Sequence, residues 1–360
     1  MLTINRRFEI AASHRLAYSD WSSQKNESYF GKDALGRFGH GHNFEVFFAF
    51  TGPIHPKTGM IAHLTQIKEK IWDTILCHYD HVYLNEQPPF RESLPTCENL
   101  ASQLLKEALT MFEQGPRPIA VHVKESFENQ ATACHVNSNI QWERQYTYPD
   151  SPICVTYQNA LEPKKGEYIQ DSVIQNAIQS YLKKQKWDPL MESRYCDFAP
   201  SLWEHLIPDI PLRRIQINMG KDRFEYFGNG EYAVTVMCDL LATHWLWNPS
   251  LSDEENKAIY GVCVNPHGHH FRLEATQKNK EVHHTRMVLQ EALHQVVTPL
   301  SHTCINESMA SDPRLPVTCE GWIQFLNTEL EKVLKSPLYR VRLFETWNNR
   351  FTLRPTLLYR

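Results

Sequence analysis

Two short stretches of this chain carry side chains that can hold a metal: Gly39-His40-Gly41-His42-Asn43-Phe44 and His267-Gly268-His269-His270-Phe271. Each has a further histidine upstream, His14 in Ala12-Ser13-His14 and His244 in Ala242-Thr243-His244. Residues i and i+2 of a strand point the same way, so each His-Gly-His offers two imidazoles on one face. A third imidazole from a neighbouring strand completes a three-histidine zinc site with one open position, the catalytic arrangement. The expected ligands are His14, His40 and His42 in the first half and His244, His267 and His269 in the second. One histidine alone is more often an ordinary core or surface residue, and the signal gains its weight from its surroundings and its repetition.

Strands and helices at matching places must position these groups. In the first half, residues 8–16 read as a strand, 29–38 as a loop and 40–50 as a strand with Phe44, Val46, Phe48 and Phe50 on one face. Leu64, Ile67, Ile71 and Ile75 have helical spacing, and Asp80-His81 follows. Pro95-Thr96-Cys97-Glu98-Asn99 opens a second helix, and strands at 119–124 and 131–136 close the unit around Glu125. The second half repeats this order: His302 stands where His81 stood, Pro316-Val317-Thr318-Cys319-Glu320 echoes Pro95 to Glu98, and Val341 to Glu345 matches Val121 to Glu125. The fold class is α+β, two tandem β-β-α-α-β-β units at 1–137 and 231–360, an internal duplication. The middle, 138–230, shows a helical pattern at 171–184 and a strand pair at 214–218 and 223–227. It reads better as a buttressing insertion than as a decayed third unit.

Composition excludes several classes. A formal charge of −4 leaves no basic footprint for nucleic acid. No apolar run reaches membrane-spanning length, and residues 1–7 lack the apolar core of a secretory signal. Nine scattered cysteines, an odd number, suit reduced thiols in a cytoplasm. Eighteen histidines point toward metal or proton chemistry.

At this level of detail the chain resembles the 6-pyruvoyl- and 6-carboxy-tetrahydropterin synthases. The resemblance rests on Tyr29-Phe30-Gly31-Lys32 before the first His-Gly-His, Gly59-Met60, Asp80-His81 with Leu84-Asn85, Pro95 to Asn99, and Glu125 with Asn129. In the second half it rests on Pro249-Ser250-Leu251-Ser252 through Tyr260-Gly261-Val262-Cys263, and on Glu345-Thr346 with Asn349. The resemblance implies a T-fold, in which three units join edge to edge into a ring and two rings stack. Three copies of a two-unit chain, a homotrimer, would then give the six units. It also implies Zn2+, a pterin substrate (7,8-dihydroneopterin triphosphate), a cysteine as proton acceptor, and an Asp-His pair with a Glu as relay and pterin anchor. Zinc there would bind and acidify the side-chain hydroxyls, a thiolate beside the cation would move protons, and a carboxylate would grip the pterin N–H edge. Carried over, the catalytic residues are Cys263, His81, Asp80 and Glu125. The substrate-binding residues are Glu125, Thr96, Cys97 and Glu98, with Thr318, Glu320 and Glu345.

The departures shape the expectation. The first repeat has no cysteine between Tyr29 and His40, and in the second Ser301 replaces the relay Asp. Complementary losses suggest a composite site, Cys263 meeting His81, Asp80 and Glu125 across an interface, with a thiol-free reciprocal site beside His302 and Glu345. The spacing Cys263-x-x-x-His267 is that of the 6-carboxy enzymes, on the route to the deazaguanine of queuosine, whereas Asn265-Pro266 is a pyruvoyl-type signature. The expectation is the 6-carboxy reaction. The rivals are the 6-pyruvoyl reaction, a non-catalytic pterin- or purine-binding protein, and an unrelated three-histidine zinc hydrolase that leaves the Thr-x-Glu motifs unexplained. His63 stands where the family has an Asp.

Overall fold

The computed structural model describes residues 1–149, 151–158, 169–185, 195–308 and 317–353. The first repeat contains β1 (Leu2–His14), α1 (Ser23–Phe30), β2 (His40–Thr51), α2 (Leu64–Thr74), β3 (Val82–Tyr83), α3 (Cys97–Met111), β4 (Arg117–Lys124) and β5 (Asn129–Val136). The middle contains β6 (Asn139–Thr147), β7 (Ile153–Tyr157), α4 (Asp171–Gln185), α5 (Tyr195–Leu206), β8 (Leu212–Met219) and β9 (Asp222–Tyr226). The second repeat contains β10 (Tyr232–His244), α6 (Asp253–Tyr260), β11 (His267–Lys278), α7 (Val282–Val297), β12 (Thr303–Cys304), α8 (Ile305–Ser308), α9 (Cys319–Leu334), β13 (Arg340–Phe344) and β14 (Asn349–Leu353).

The middle therefore has the same β-β-α-α-β-β order as the repeats. The strands run β11-β13-β14-β1-β2-β4-β5-β6-β7-β8-β9-β10, and β10 pairs back onto β11. The result is a closed antiparallel barrel of twelve strands, an α+β T-fold architecture. The short β3 and β12 lie parallel to β1 and β10 outside this path. Closure removes the unpaired edges at which further strands could add.

Alternation explains which face does what. Phe44, Val46, Phe48 and Phe50 of β2 are fully buried on the helix side, each worth about 1.5–3 kcal/mol of burial. On the opposite face, turned into the barrel, ion pairs span strands: Arg214 to Glu225, Arg223 and Arg342 to Glu274, and Arg340 to Glu225. This inward-facing polarity is why β6, with Gln141, Glu143 and Gln145, did not read as a strand. Helix α1 ends at the start of the stretch expected as a loop, and α6 lies within the Pro249–Cys263 motif; Ser22 and Ser252 cap them, and Ser252 with Glu255 forms a capping box. Pro316 lies outside the described residues. Among the described residues no helix is long and apolar enough to cross a membrane.

A fragment ending at residue 137 leaves β1 and β5 without their neighbours. It is expected to oligomerise or precipitate in sedimentation experiments. A stable, monomeric fragment would show that ring closure is not what holds the unit together.

Candidate metal centres and the cavity between the repeats

Both histidine triads form. His14 pairs with His40 across the β1–β2 ladder, and His244 pairs with His267 across β10–β11. Ring centroids lie 4.6, 5.2 and 4.8 Å apart in the first triad and 4.6, 5.3 and 5.1 Å apart in the second. Gly39 makes the first approach possible: its φ is +66°, and a Cβ there would lie 1.8 Å from the His14 carbonyl oxygen.

The donor sets fit a metal. His14 Nδ1 hydrogen-bonds the Pro95 carbonyl at 2.8 Å, and His244 Nδ1 the Val317 carbonyl at 3.3 Å. This is how ligand imidazoles are usually oriented, with the other nitrogen left free to bind. The Nε2 atoms of His14, His42 and His244 are buried without a hydrogen-bond partner among the described residues. Within each cluster the ligand atoms lie within 4.8 Å of one another. Burial, reinforced by His267, pushes His244 down to about 4, and burial lowers His40, His42 and His269, so the imidazoles present lone pairs.

The two sites share a scaffold to the level of single hydrogen bonds. Thr96 and Thr318 cap α3 and α9. Cys97 Sγ donates to Glu125 Oε2 at 3.1 Å, and Cys319 Sγ donates to Glu345 Oε1 at 3.3 Å. His81 and His302 both have a positive φ, and their N–H groups donate to Ala11 and Leu241. Burial holds both Cys97 and Cys319 as protonated thiols, well above the usual range.

Beyond the triads the sites diverge. Glu98 is fully buried, and Arg144 of β6 grips both its oxygens at 3.1 and 3.0 Å. The same guanidinium reaches Asp171 at 2.8 Å and Asn129 at 3.2 Å. Its register partner on β5 is Ala131. The corresponding junction, β14 with β1, puts Ile4 opposite Phe351. An isoleucine has no charge to offer, so no cation pairs with Glu320 among the described residues. Glu320 Oε1 instead accepts the Ile61 N–H at 3.0 Å. Burial, with Glu345 adding to it, raises Glu320 to about 7.

Here a cavity of about 130 Å3 remains open. From the second repeat it is lined by His244, Cys263, Thr318, Cys319, Glu320 and Glu345, and from the first by Met60, Ala62, His63, Leu64 and Thr65. The first repeat's loop is clamped in place, because Thr318 donates to the Gly59 carbonyl and Tyr260 and Asn248 bond the carbonyl of Lys57. A larger cavity of about 810 Å3, bordered by Ser301, His302, Lys221 and Asp239, contains no triad residue, so size is no guide to the chemistry.

Within one chain the groups expected at the composite site lie apart. Cys263 faces Glu345 of its own repeat, not Glu125, whose Oε1 lies 3.4 Å from His42 Nε2 and 4.0 Å from His14 Nε2. Thr96, Cys97 and Glu98 are engaged in capping, in Glu125 and in Arg144, whereas Thr318, Glu320 and Glu345 border open space. Asp80 accepts from the Ala11 N–H at 2.9 Å and from His81 at 2.8 Å, and the His81 ring is 81% exposed at the barrel's side, outside the residues lining the cavity. His302 borders the larger cavity and Glu345 the smaller, and no residue of the first triad lines either. Sequence reasoning missed Cys319, Arg144 and the role of His63, which lines the cavity with a buried Nδ1 lacking a partner among the described residues. Its departure from the family pattern was the available signal.

A T-fold barrel carrying repeated three-histidine centres, each beside a helix-capping Thr-x-Glu and a strand-end Glu, defines the class. The family model described as 6-pyruvoyl tetrahydropterin synthase matches residues 3–135 and 233–356. The 6-pyruvoyl tetrahydrobiopterin synthase of Poecilia reticulata is 37% identical over 99 residues, 27% of this chain and 67% of that protein. The Homo sapiens enzyme of the same name is 36% identical over 99 residues, 27% of this chain and 68% of that protein. The solved structure of Caenorhabditis elegans 6-pyruvoyl tetrahydropterin synthase is 26% identical, covers 37% of this chain and 96% of its own, and has a TM-score of 0.35. The chain belongs to the 6-pyruvoyl tetrahydropterin synthase family of zinc-dependent lyases.

Glu320 gives a stability test. Its folded pKa of about 7 exceeds the ordinary 4.5, so its contribution is whole below about 4.5 and is lost as pH rises through 7. In metal-free protein, Glu320→Gln should therefore gain up to about 3 kcal/mol more over the parent at pH 8 than at pH 4.5. Urea melts at the two pH values measure this, and equal effects at both would contradict the buried, unpaired carboxylate.

Proposed function

We propose that this chain is a tetrahydropterin synthase that converts 7,8-dihydroneopterin triphosphate at one site, the cavity beside His244, His267 and His269. The observation that carries the reading is that, among the described residues, this cavity brings His244 of the second triad, Cys263 and the carboxylates of Glu320 and Glu345 into one open space. His244, His267 and His269 would hold zinc, which when bound polarises substrate oxygens and lowers the pKa of groups beside it. Glu320 and Glu345 accept hydrogen bonds from the pterin N–H edge, a charge-assisted grip that rewards a buried carboxylate for staying ionised. Asn349 orients Glu345 by donating to its Oε2 at 3.0 Å. Cys263 Sγ takes up and returns the side-chain proton; without a nearby cation, burial and Glu345 hold its thiol above the usual range.

Asp80-His81 is the chain's one such pair with its acid intact. Its exposed ring fits a relay delivered to the Cys263 site of a second chain in a stacked pair of rings. The triphosphate leaves in either family reaction. The names of the similar proteins favour the 6-pyruvoyl product, while the Cys263-x-x-x-His267 spacing favours the 6-carboxy product and the queuosine route.

Zinc-loaded protein incubated with 7,8-dihydroneopterin triphosphate should yield one of these two pterins by mass spectrometry. Cys263→Ala should lower kcat by about 10²-fold or more, His81→Ala should also impair turnover, and changing Ser301 should leave it nearly intact. A bound but unconverted pterin would favour a binding protein, and a His302→Ala loss equal to that of His81→Ala would rule out the Asp80-His81 assignment.

A further inference from the structure

We propose that the His14 cluster is a closed, structural metal site with Glu125 as its fourth ligand, and that Arg144 fills the place beside it where a pterin would sit. The inference rests on reading both clusters as metal sites. Structural zinc sites have four protein ligands, and catalytic ones keep a position open.

The two clusters differ in this respect. His14, His40, His42 and Glu125 form one four-member group whose ligand atoms are all mutually close, while the second group contains only His244, His267 and His269. Glu125 Oε1 stands 3.4 Å from His42 Nε2. Glu345 is 3.9 Å from His269 Nε2, and Asn349 Nδ2 holds its other oxygen at 3.0 Å. The equivalent Asn129 turns its amide oxygen to Arg144 at 3.2 Å.

The space for a substrate is also gone. Arg144 has a side chain only 6% exposed, its carboxylate partner Glu98 has none exposed, and Asp171 binds its other edge. Arg144 Nη1 donates to both Glu98 oxygens, filling the acceptor positions that a pterin N–H edge would use, while its forked Nε and Nη2 edge faces Asp171. Arg144 is thus a built-in surrogate for the ligand, supplied by the neighbouring unit. The first repeat's lack of a cysteine follows, since no substrate reaches its metal.

Cobalt(II) replaces zinc in such sites and reports ligand entry by its visible spectrum. In the full chain loaded with two equivalents of cobalt, azide should shift the absorption of only half the metal. The His267→Ala/His269→Ala protein, retaining the first cluster, should bind one cobalt whose spectrum azide leaves unchanged. The His40→Ala/His42→Ala protein should bind one cobalt that responds. Adding Glu125→Gln to the first-cluster protein should make its cobalt responsive. A shift of all the metal in the parent protein, or an azide response in the first-cluster protein with Glu125 intact, overturns the proposal. Cobalt uptake by the second cluster but not the first would overturn it while leaving the catalytic reading standing, and no uptake at either would refute the metal reading itself.

Discussion

A carboxylate buried in protein must find a cation or a ligand, and this requirement divides the molecule's two histidine centres. Glu98 and Glu320 begin the same helix in the same way, behind a capping threonine and a cysteine. One is satisfied inside the fold by Arg144, and the other is left with backbone N–H groups and no cation among the described residues. Breaking a buried pair such as Glu98 with Arg144 typically costs about 3–5 kcal/mol, so the first centre is locked shut. The second keeps a destabilised acid in a cavity, the condition in which an incoming donor is bound most strongly.

The barrel creates this difference. Each centre lies near a junction between units, and whatever strand follows a repeat decides what its glutamate meets. After the first repeat comes β6, carrying Arg144; after the second, around the ring, comes β1, carrying Ile4 at the matching register. Duplication supplied equal parts, and unequal neighbours made them differ. The middle unit, without any histidine triad among its described residues, closes the ring and at the same time silences one site.

Much of this was legible beforehand. The His-Gly-His pairs, the alternation of Phe44 to Phe50 and the repeated Thr-x-Glu signals are local patterns, and local patterns survive in sequence. In the middle, the helix at 171–184 and the strand pair at 214–218 and 223–227 were legible, but β6 and β7 were not, because they do not alternate in the usual way: one turns polar residues into a charged barrel, and the other, Ile153–Tyr157, is buried throughout. Nor was the pairing of Cys263 with Glu345. The complementary gaps in the two repeats suggest that Cys263 meets Glu125 across an interface, whereas within one chain strand order puts Cys263 beside Glu345. Arg144 carries no motif at all, and its role follows from register.

The most direct test is the number of pterins each chain binds. Titrating zinc-loaded protein with 7,8-dihydroneopterin in a calorimeter should give one site per chain, abolished by Glu320→Ala and retained in Glu98→Gln protein that still folds. Two equivalent sites per chain would contradict the division of the two centres into one that is open and one that is closed.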